Sequence, residues 1–478
     1  MKTNIRKQNK NNNKIFGGKI SMKNNIKKTL SIILAIITIF SITSITSFAT
    51  EELDWTVATQ DMLVLSEDGT TITGYTDKLS GNIEIPDKID GTAIIKIAKQ
   101  AFEGCKTLKA IKIPQNMKEI SYHSFRNCTN LGTIVFNAIN CTINSYSNTS
   151  NYDGCNKLTT FIFGKGVTAI PANVCYGANK LTEVVFDDVV TKIGSYAFAN
   201  CSSLDYVDIS NVTTIGNAAF YNCSEIDSFV FSDNLKKIGE TQVSGMKGVF
   251  EGCSIEEIII PEKVEYIGCY TFKNCANLKT IVFNATNCAV SSFYPANNYE
   301  GCNNLTKFVF GKEVTEIPDY VCYGADTLTE VVFDDVVTKI GDYAFADCSI
   351  LEKVKYAGTE KDKAEIVFGK NNDYLKNAEW ICKVELIDAE NLSLNYKGSV
   401  SIDKVALKNI DVTYESSSPE IITVDAGGTI TAVGTGTATI TATATIDGEA
   451  IEDEVTVTSS YSWWQLIINI VLFGWLWY

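Results

Sequence analysis

AFEGCKTLKAIKIP, residues 101–114, decides the fold, because the chain keeps repeating its frame. It returns as SFRNCTNLGTIVF from Ser124, AFANCSSLDYVDI from Ala197, AFYNCSEIDSFVF from Ala219, TFKNCANLKTIVF from Thr271 and AFADCSILEKVKY from Ala344, with looser copies between them. Aligned on the cysteine, the marker falls at Cys105, Cys128, Cys155, Ala178, Cys201, Cys223, Cys253, Cys275, Cys302, Ala325 and Cys348, which makes eleven coils. The spacings are 23, 27, 23, 23, 22, 30, 22, 27, 23 and 23 residues. A recurring period of about 20 to 30 residues is the signature of a solenoid.

In Leu108 to Ile113 the apolar residues stand first, fourth and sixth, so each coil is expected to add one short strand to a stack. No coil can bury its apolar side alone; neighbours bury it together, and the two ends need caps. Gly194, Gly216, Gly239, Gly268 and Gly341 follow the Ile of a second short segment, where a corner with positive φ is expected. The run 27, 23, 23 occurs twice, and LTEVVFDDVVTKIG appears at Leu181 and again at Leu328, an offset of 147 residues. A block of several coils has been duplicated.

These units resemble the leucine-rich repeats of the BspA-like family, with an AFxxCxxLxxIxIP core and a following IG turn, over about residues 94–356. The resemblance implies a curved solenoid with a parallel sheet on its concave side. It also implies a bacterial surface protein associated with adhesion. From Val384 the 23-residue period is lost, and Thr, Val, Ala and Ile alternate between Gly, Ser and Pro turns, the pattern of an all-β sandwich. SSSPEIITVDAGGTITAVGTGTATITATA resembles the bacterial Ig-like domain of group 2, which implies a spacer or adhesive module. The expected class is mainly β, with a signal peptide over 1–49, an N-terminal cap over 50–93, the solenoid over 94–356, a C-terminal cap and linker over 357–383, the Ig-like domain over 384–458 and an apolar, Trp-rich tail over 459–478.

Residues 1–28 carry nine basic residues and no acid, and an apolar run from Leu30 closes on Ser47-Phe48-Ala49. This order reads as a secretory signal cleaved after Ala49, with Met22 an alternative start. The chain carries 41 basic and 56 acidic residues, so without the nine in the leader it holds 32 against 56, a net −24. Such an acidic surface makes nucleic acid a poor partner. The tail YSWWQLIINIVLFGWLWY places Trp at both ends of an apolar stretch, which leaves two readings open: membrane association through residues 463–478, or a packing strand or sorting tag removed on export.

The catalytic recipes are largely missing. His123 is the single histidine and occupies the slot of Tyr196 and Tyr343, so it reads as a coil-surface residue. Nine of fifteen cysteines share the marker position, and Cys175 and Cys322 share another, as small buried groups of a repeat would. Asp187-Asp188 and Asp334-Asp335 recur through duplication, so a calcium site is the weaker reading. Neither a cofactor nor a metal is expected.

The fifth residue of each strand should point away from the core, because strand side chains alternate. Val135, Ile162, Val185, Val230, Ile259, Val282, Val309 and Val332 fill eight of these eleven slots; Lys112, Asp208 and Lys355 fill the rest. Beside them runs a polar row with Glu183, Tyr206, Glu257, Lys307, Glu330 and Lys353. An exposed branched stripe fits a face for an extracellular protein or glycan. The expected function is thus a non-enzymatic secreted or surface-attached binding protein, the alternative being a self-associating component of the cell envelope.

Overall fold

The computed structural model describes residues 53–144, 150–240, 247–291, 297–383, 386–387, 391–401, 412–446 and 449–466. The leader, residues 145–149 and 292–296 in the two 27-residue coils, and the tail from Ile467 lie outside the described residues. The chain divides into two units, one ending at Cys382 and the other starting at Lys383.

In the first unit, Gly81–Glu84, Leu108–Ile113, Thr133–Phe136, Thr160–Phe163 and Glu183–Val185 form successive parallel pairs. A second parallel run joins Glu257–Ile260, Thr280–Phe283, Lys307–Phe310, Glu330–Phe333 and Lys353–Tyr356. Later in each coil, two-residue strands such as Ala169–Ile170, Lys192–Ile193, Thr214–Ile215, Lys237–Ile238 and Tyr266–Ile267 stack in parallel as well. This is the geometry of a solenoid: each of these strands pairs with its counterpart one coil away. The expectation of a strand in every coil needs correction, because Leu204 to Ile209 and Ile226 to Phe231 form none. These segments contain Asp205, Asp208 and Asp227, a residue type depleted from strands. Their Leu204, Val207, Ile209 and Ile226 nevertheless stay in the core.

The core is a set of columns running through the coils. Phe102 and Phe125 stack at 5.5 Å, Phe198 and Phe220 at 5.5 Å, and Phe220, Phe250 and Phe272 at 5.9 Å intervals. Where the column takes a tyrosine, the hydroxyl is satisfied by the next coil: Tyr152 donates to the Val174 carbonyl at 2.7 Å and Tyr299 to that of Val321 at 2.6 Å. The marker cysteines form a column of donors. The Sγ of Cys128 lies 3.0 Å from the carbonyl of Phe102, that of Cys155 3.0 Å from Phe125, that of Cys223 3.1 Å from Phe198 and that of Cys275 3.1 Å from Phe250. Each thiol thereby adds a second donor to a buried carbonyl one coil back, beside the amide of that coil's own marker cysteine.

Most of the corner glycines depart from the expected positive φ. Among the five, only Gly239 has a positive φ, at 91°. At Gly194 and Gly341 a Cβ would sit 2.5 Å from the backbone nitrogens of Ala172 and Asp319 in the preceding coil, so close backbone approach excludes a side chain. The left-handed positions come later in the corner, at residues such as His123, Tyr196, Tyr270, Tyr320 and Tyr343 and again at Asn127, Asn200, Asn222 and Asn274.

Both ends of the solenoid extend the stacks. Thr56–Val57 pairs in parallel with Gly81–Glu84 at one end, and Glu379–Ile381 with Lys353–Tyr356 at the other. Before that last strand a helix over Glu360–Glu365 starts on a capping box between Thr359 and Asp362.

In the second unit, Leu392–Asn395, Glu449–Ser460, Gly436–Ile446 and Val412–Ser416 make one sheet, and Ser399–Ser401, Thr429–Ala432 and Ile422–Val424 another. Gly436–Ile446 buries Ala438, Ile440, Ala442 and Ala444 on one face, against Ile422, Ile430 and Val457. The alternating Thr residues take the other face. Outside strands, Leu386 and Ile387 donate their amides to Asp453 Oδ2 at 3.3 Å.

Candidate functional site

Alternation along the strands sets two outward rows. In Glu257–Ile260, Ile258 and Ile260 are buried while Glu257 and Ile259 are exposed. Parallel register carries the rows from coil to coil. Ile259 stands beside Val282, then Val309, Val332 and Lys355; Glu257 stands beside Thr280, then Lys307, Glu330 and Lys353. In the first block Lys112, Val135, Ile162 and Val185 line up in the same way.

The apolar row is not uniformly open. Val230 and Ile259 are 55% and 53% exposed, and Val282, Val309 and Val332 are half-buried. Val135, Ile162 and Val185 form a small buried cluster with Trp55 packed against it. Trp55 also lies under the Lys112 ammonium, 5.8 Å from the ring centre. The accessible stripe therefore begins near Val230 instead of running through all eight residues. Sequence reasoning overlooked Trp55, which stands outside the repeat, where no periodicity says what it covers.

Along the polar row, Glu330 sits between two cations, 2.7 Å from Lys307 Nζ and 2.9 Å from Lys355 Nζ. Partial burial pushes its carboxyl up, but the hydrogen bonds from the two lysines outweigh this and hold it below the ordinary glutamate value. The duplicate position, Glu183, receives a hydrogen bond from Thr160 Oγ1 at 3.1 Å instead. Tyr206 is 46% exposed between the two sheets, close in sequence to Asp208.

The remaining candidates take structural places. His123 adopts a left-handed φ of 59° at a corner, edge-on to Tyr122. All fifteen cysteines are free thiols. Burial pushes Cys141, Cys288 and Cys302 up to about 12 and Cys175, Cys201 and Cys223 well above the ordinary thiol value, which suppresses the reactive thiolate. Asp334 is pushed up by burial and by its hydrogen bond with Asp335. Among the described residues no group of three or more His, Cys, Asp or Glu is arranged to hold a metal ion, and no helix is long and apolar enough to cross a membrane.

Comparison with known proteins agrees with this architecture. The BspA-type leucine-rich repeat region is matched over residues 75–152, 147–248, 246–374 and 292–409, and a bacterial Ig-like domain over residues 410–458. No curated protein matches the chain. Among solved structures, a leucine-rich cell surface protein of Faecalibacterium prausnitzii A2-165 is similar at 22% identity, covering 64% of this chain and 95% of its own, with a TM-score of 0.29. A leucine-rich repeat protein of Bacteroides ovatus is similar at 19% identity over 67% of this chain and 98% of its own, TM-score 0.37. The pneumococcal vaccine antigen PcpA is similar at 13% identity over 69% of this chain and 100% of its own, TM-score 0.33.

Proposed function

The chain belongs to the family of proteins built on BspA-type leucine-rich repeats, and from that premise we propose that it is a non-enzymatic binding protein of the bacterial cell surface. Its binding surface is the outward face of the second parallel run together with Val230 in the coil before it, and its ligand is an extracellular protein or glycan. The observation that carries the reading is the pair Val230 and Ile259, two branched residues more than half exposed at the open end of an apolar row. Burying exposed apolar surface favours association by about 25 cal/mol per Å² before the costs of binding are met. The neighbouring Glu257, Lys307, Glu330 and Lys353 supply charges of both signs for orientation. The Ig-like unit serves as a spacer.

The test is a binding screen of the whole exported chain against matrix proteins, mucins and polysaccharides, with the double variant V230D/I259D alongside. Saturable binding that weakens by about tenfold or more in the variant, a loss of about 1.4 kcal/mol, supports the reading. An unchanged melting temperature shows that the coils are intact, since both side chains project outward. Equal binding by both proteins would remove the stripe. Absence of any ligand, with a molecular mass that rises with concentration, would favour a self-associating envelope component instead.

A further inference from the structure

Lys112, Val135, Ile162 and Val185 in the first block are matched by Ile259, Val282, Val309 and Val332 in the second, each pair 147 residues apart. The floor beneath the two rows is the same: Phe136 and Phe163 lie 5.7 Å apart, and so do Phe283 and Phe310. What lies over the rows differs. In the first block Trp55 packs against Val135, Ile162 and Val185, none of which is more than 8% exposed. Trp55 is carried there by Thr56–Val57, a strand that pairs with Gly81–Glu84 and so stands two strands before Lys112. In the second block Ile259 is 53% exposed, and Val282, Val309 and Val332 are half-buried. Tyr206 stands two coils before Ile259, in the slot that corresponds to that of Trp55, yet it remains 46% exposed. One of two equivalent rows thus carries an indole from the chain's own end, and the other is open.

We propose that the open row receives a tryptophan side chain from a protein ligand, seated over Ile259 and Val282 as Trp55 is seated on the first row. This occupant presupposes that the second row is the binding surface, and it narrows the ligand to a protein. An indole presents a broad apolar face, which a row of branched side chains matches, and one N–H that needs an acceptor. Glu257 supplies the acceptor: it stands exposed two residues before Ile259 on the same face of the strand, where the first block has Ala110. Ile259 in place of Lys112 also makes the open row more apolar than the covered one. Tryptophan is foremost among the residues that anchor protein interfaces. A sugar brings many hydroxyls, and the side chains of Ile259, Val282, Val309 and Val332 hold no atom that could bond them.

The experiment follows the methyl resonances of the whole exported chain during titration with N-acetyl-tryptophanamide and, separately, with N-acetyl-alaninamide. Saturable ring-current shifts at Ile259 and Val282, with the tryptophan amide alone, are expected. W55A should uncover the first row, so that Val135 and Ile162 then shift as well; its melting temperature reports whether the end of the solenoid is intact, and the titration of the unaltered chain stands without it. Shifts at neither Ile259 nor Val282, or equal shifts with both amides, would overturn the proposal, as would a folded W55A whose first row stays silent. A ligand from the binding screen that is lost in V230D/I259D but does not compete with the tryptophan amide, a glycan among them, would keep the surface and overturn the tryptophan.

Discussion

Phe161 and Phe308 stand 147 residues apart and have the same surroundings. Phe161 lies 6.2 Å from Phe136, 6.4 Å from Tyr152 and 4.9 Å from Phe163; Phe308 lies 6.3 Å from Phe283, 6.4 Å from Tyr299 and 4.9 Å from Phe310. Asp208 and Lys355 are related by the same offset and behave differently. Lys355 belongs to a strand, Lys353–Tyr356, paired with Glu330–Phe333, and its ammonium reaches Glu330. Asp208 lies in Leu204-Asp-Tyr-Val-Asp-Ile209, which forms no strand next to Glu183–Val185. At the matching place it would face Val185 and stand diagonal to Glu183, as Lys355 faces Val332 and stands diagonal to Glu330. Opposite charges across a strand pair stabilise it and like charges weaken it. Duplication has thus preserved the inside of the coils, while the outer row has diverged in charge where the sheet stops.

The strongest challenge to this comparison is to remove both rings. F161A and F308A should each destabilise the solenoid by about 3–5 kcal/mol, and by nearly the same amount, in denaturant melts. A clear inequality would mean that the two blocks do not share one core. A smaller effect is expected from exchanging the outer charges. D208K should add about 0.2–1 kcal/mol and bring hydrogen-exchange protection to Asp205 to Ile209, whereas K355D should take protection from Lys353–Tyr356. If D208K leaves exchange over 205–209 unchanged, charge does not cause the break.

The smallest expected effect is a pH dependence centred on Glu330. The lysines hold its carboxyl below the ordinary value, so its contribution to stability is present above the unfolded-state value, about pH 4.3, and is lost as pH falls below it. Protection of Lys353–Tyr356 should accordingly fall on acidification, and E330Q should remove that dependence. A wild-type profile identical to that of E330Q would show the Lys-Glu-Lys cluster to be without consequence for the pairing.

The repeat made most of the fold readable. The Leu, Phe and Cys columns and the second stack of short strands follow from positions that recur in coil after coil. The outward alternation of Glu257 and Ile259 was readable for the same reason. What the period could not convey was anything that occurs once. Trp55 precedes the first coil and packs on the cluster of Val135, Ile162 and Val185. The contrast between Asp208 and Lys355 involves a neighbour one coil away, a relation visible only when the two blocks are set side by side. The glycines were placed correctly at corners, but at Gly194, Gly216 and Gly341 the reason, a backbone 2.5 Å from an added Cβ, belongs to inter-coil spacing and leaves no mark on φ.

The thiol column has an evolutionary consequence. Eight of the eleven coils carry a thiol that reaches back to a carbonyl of the coil before, so such a coil is a plug and a socket at once, and the joint recurs wherever the marker cysteine is kept. Cys105 near the start turns to Thr107 Oγ1 within its own coil at 3.4 Å, and its Phe102 carbonyl is taken by Cys128. A recombination event that copies whole coils therefore leaves no buried donor or acceptor stranded at the new seam. Such a molecule can lengthen or shorten by unequal crossing-over without prior adjustment of its interior, leaving the outer rows free to diverge.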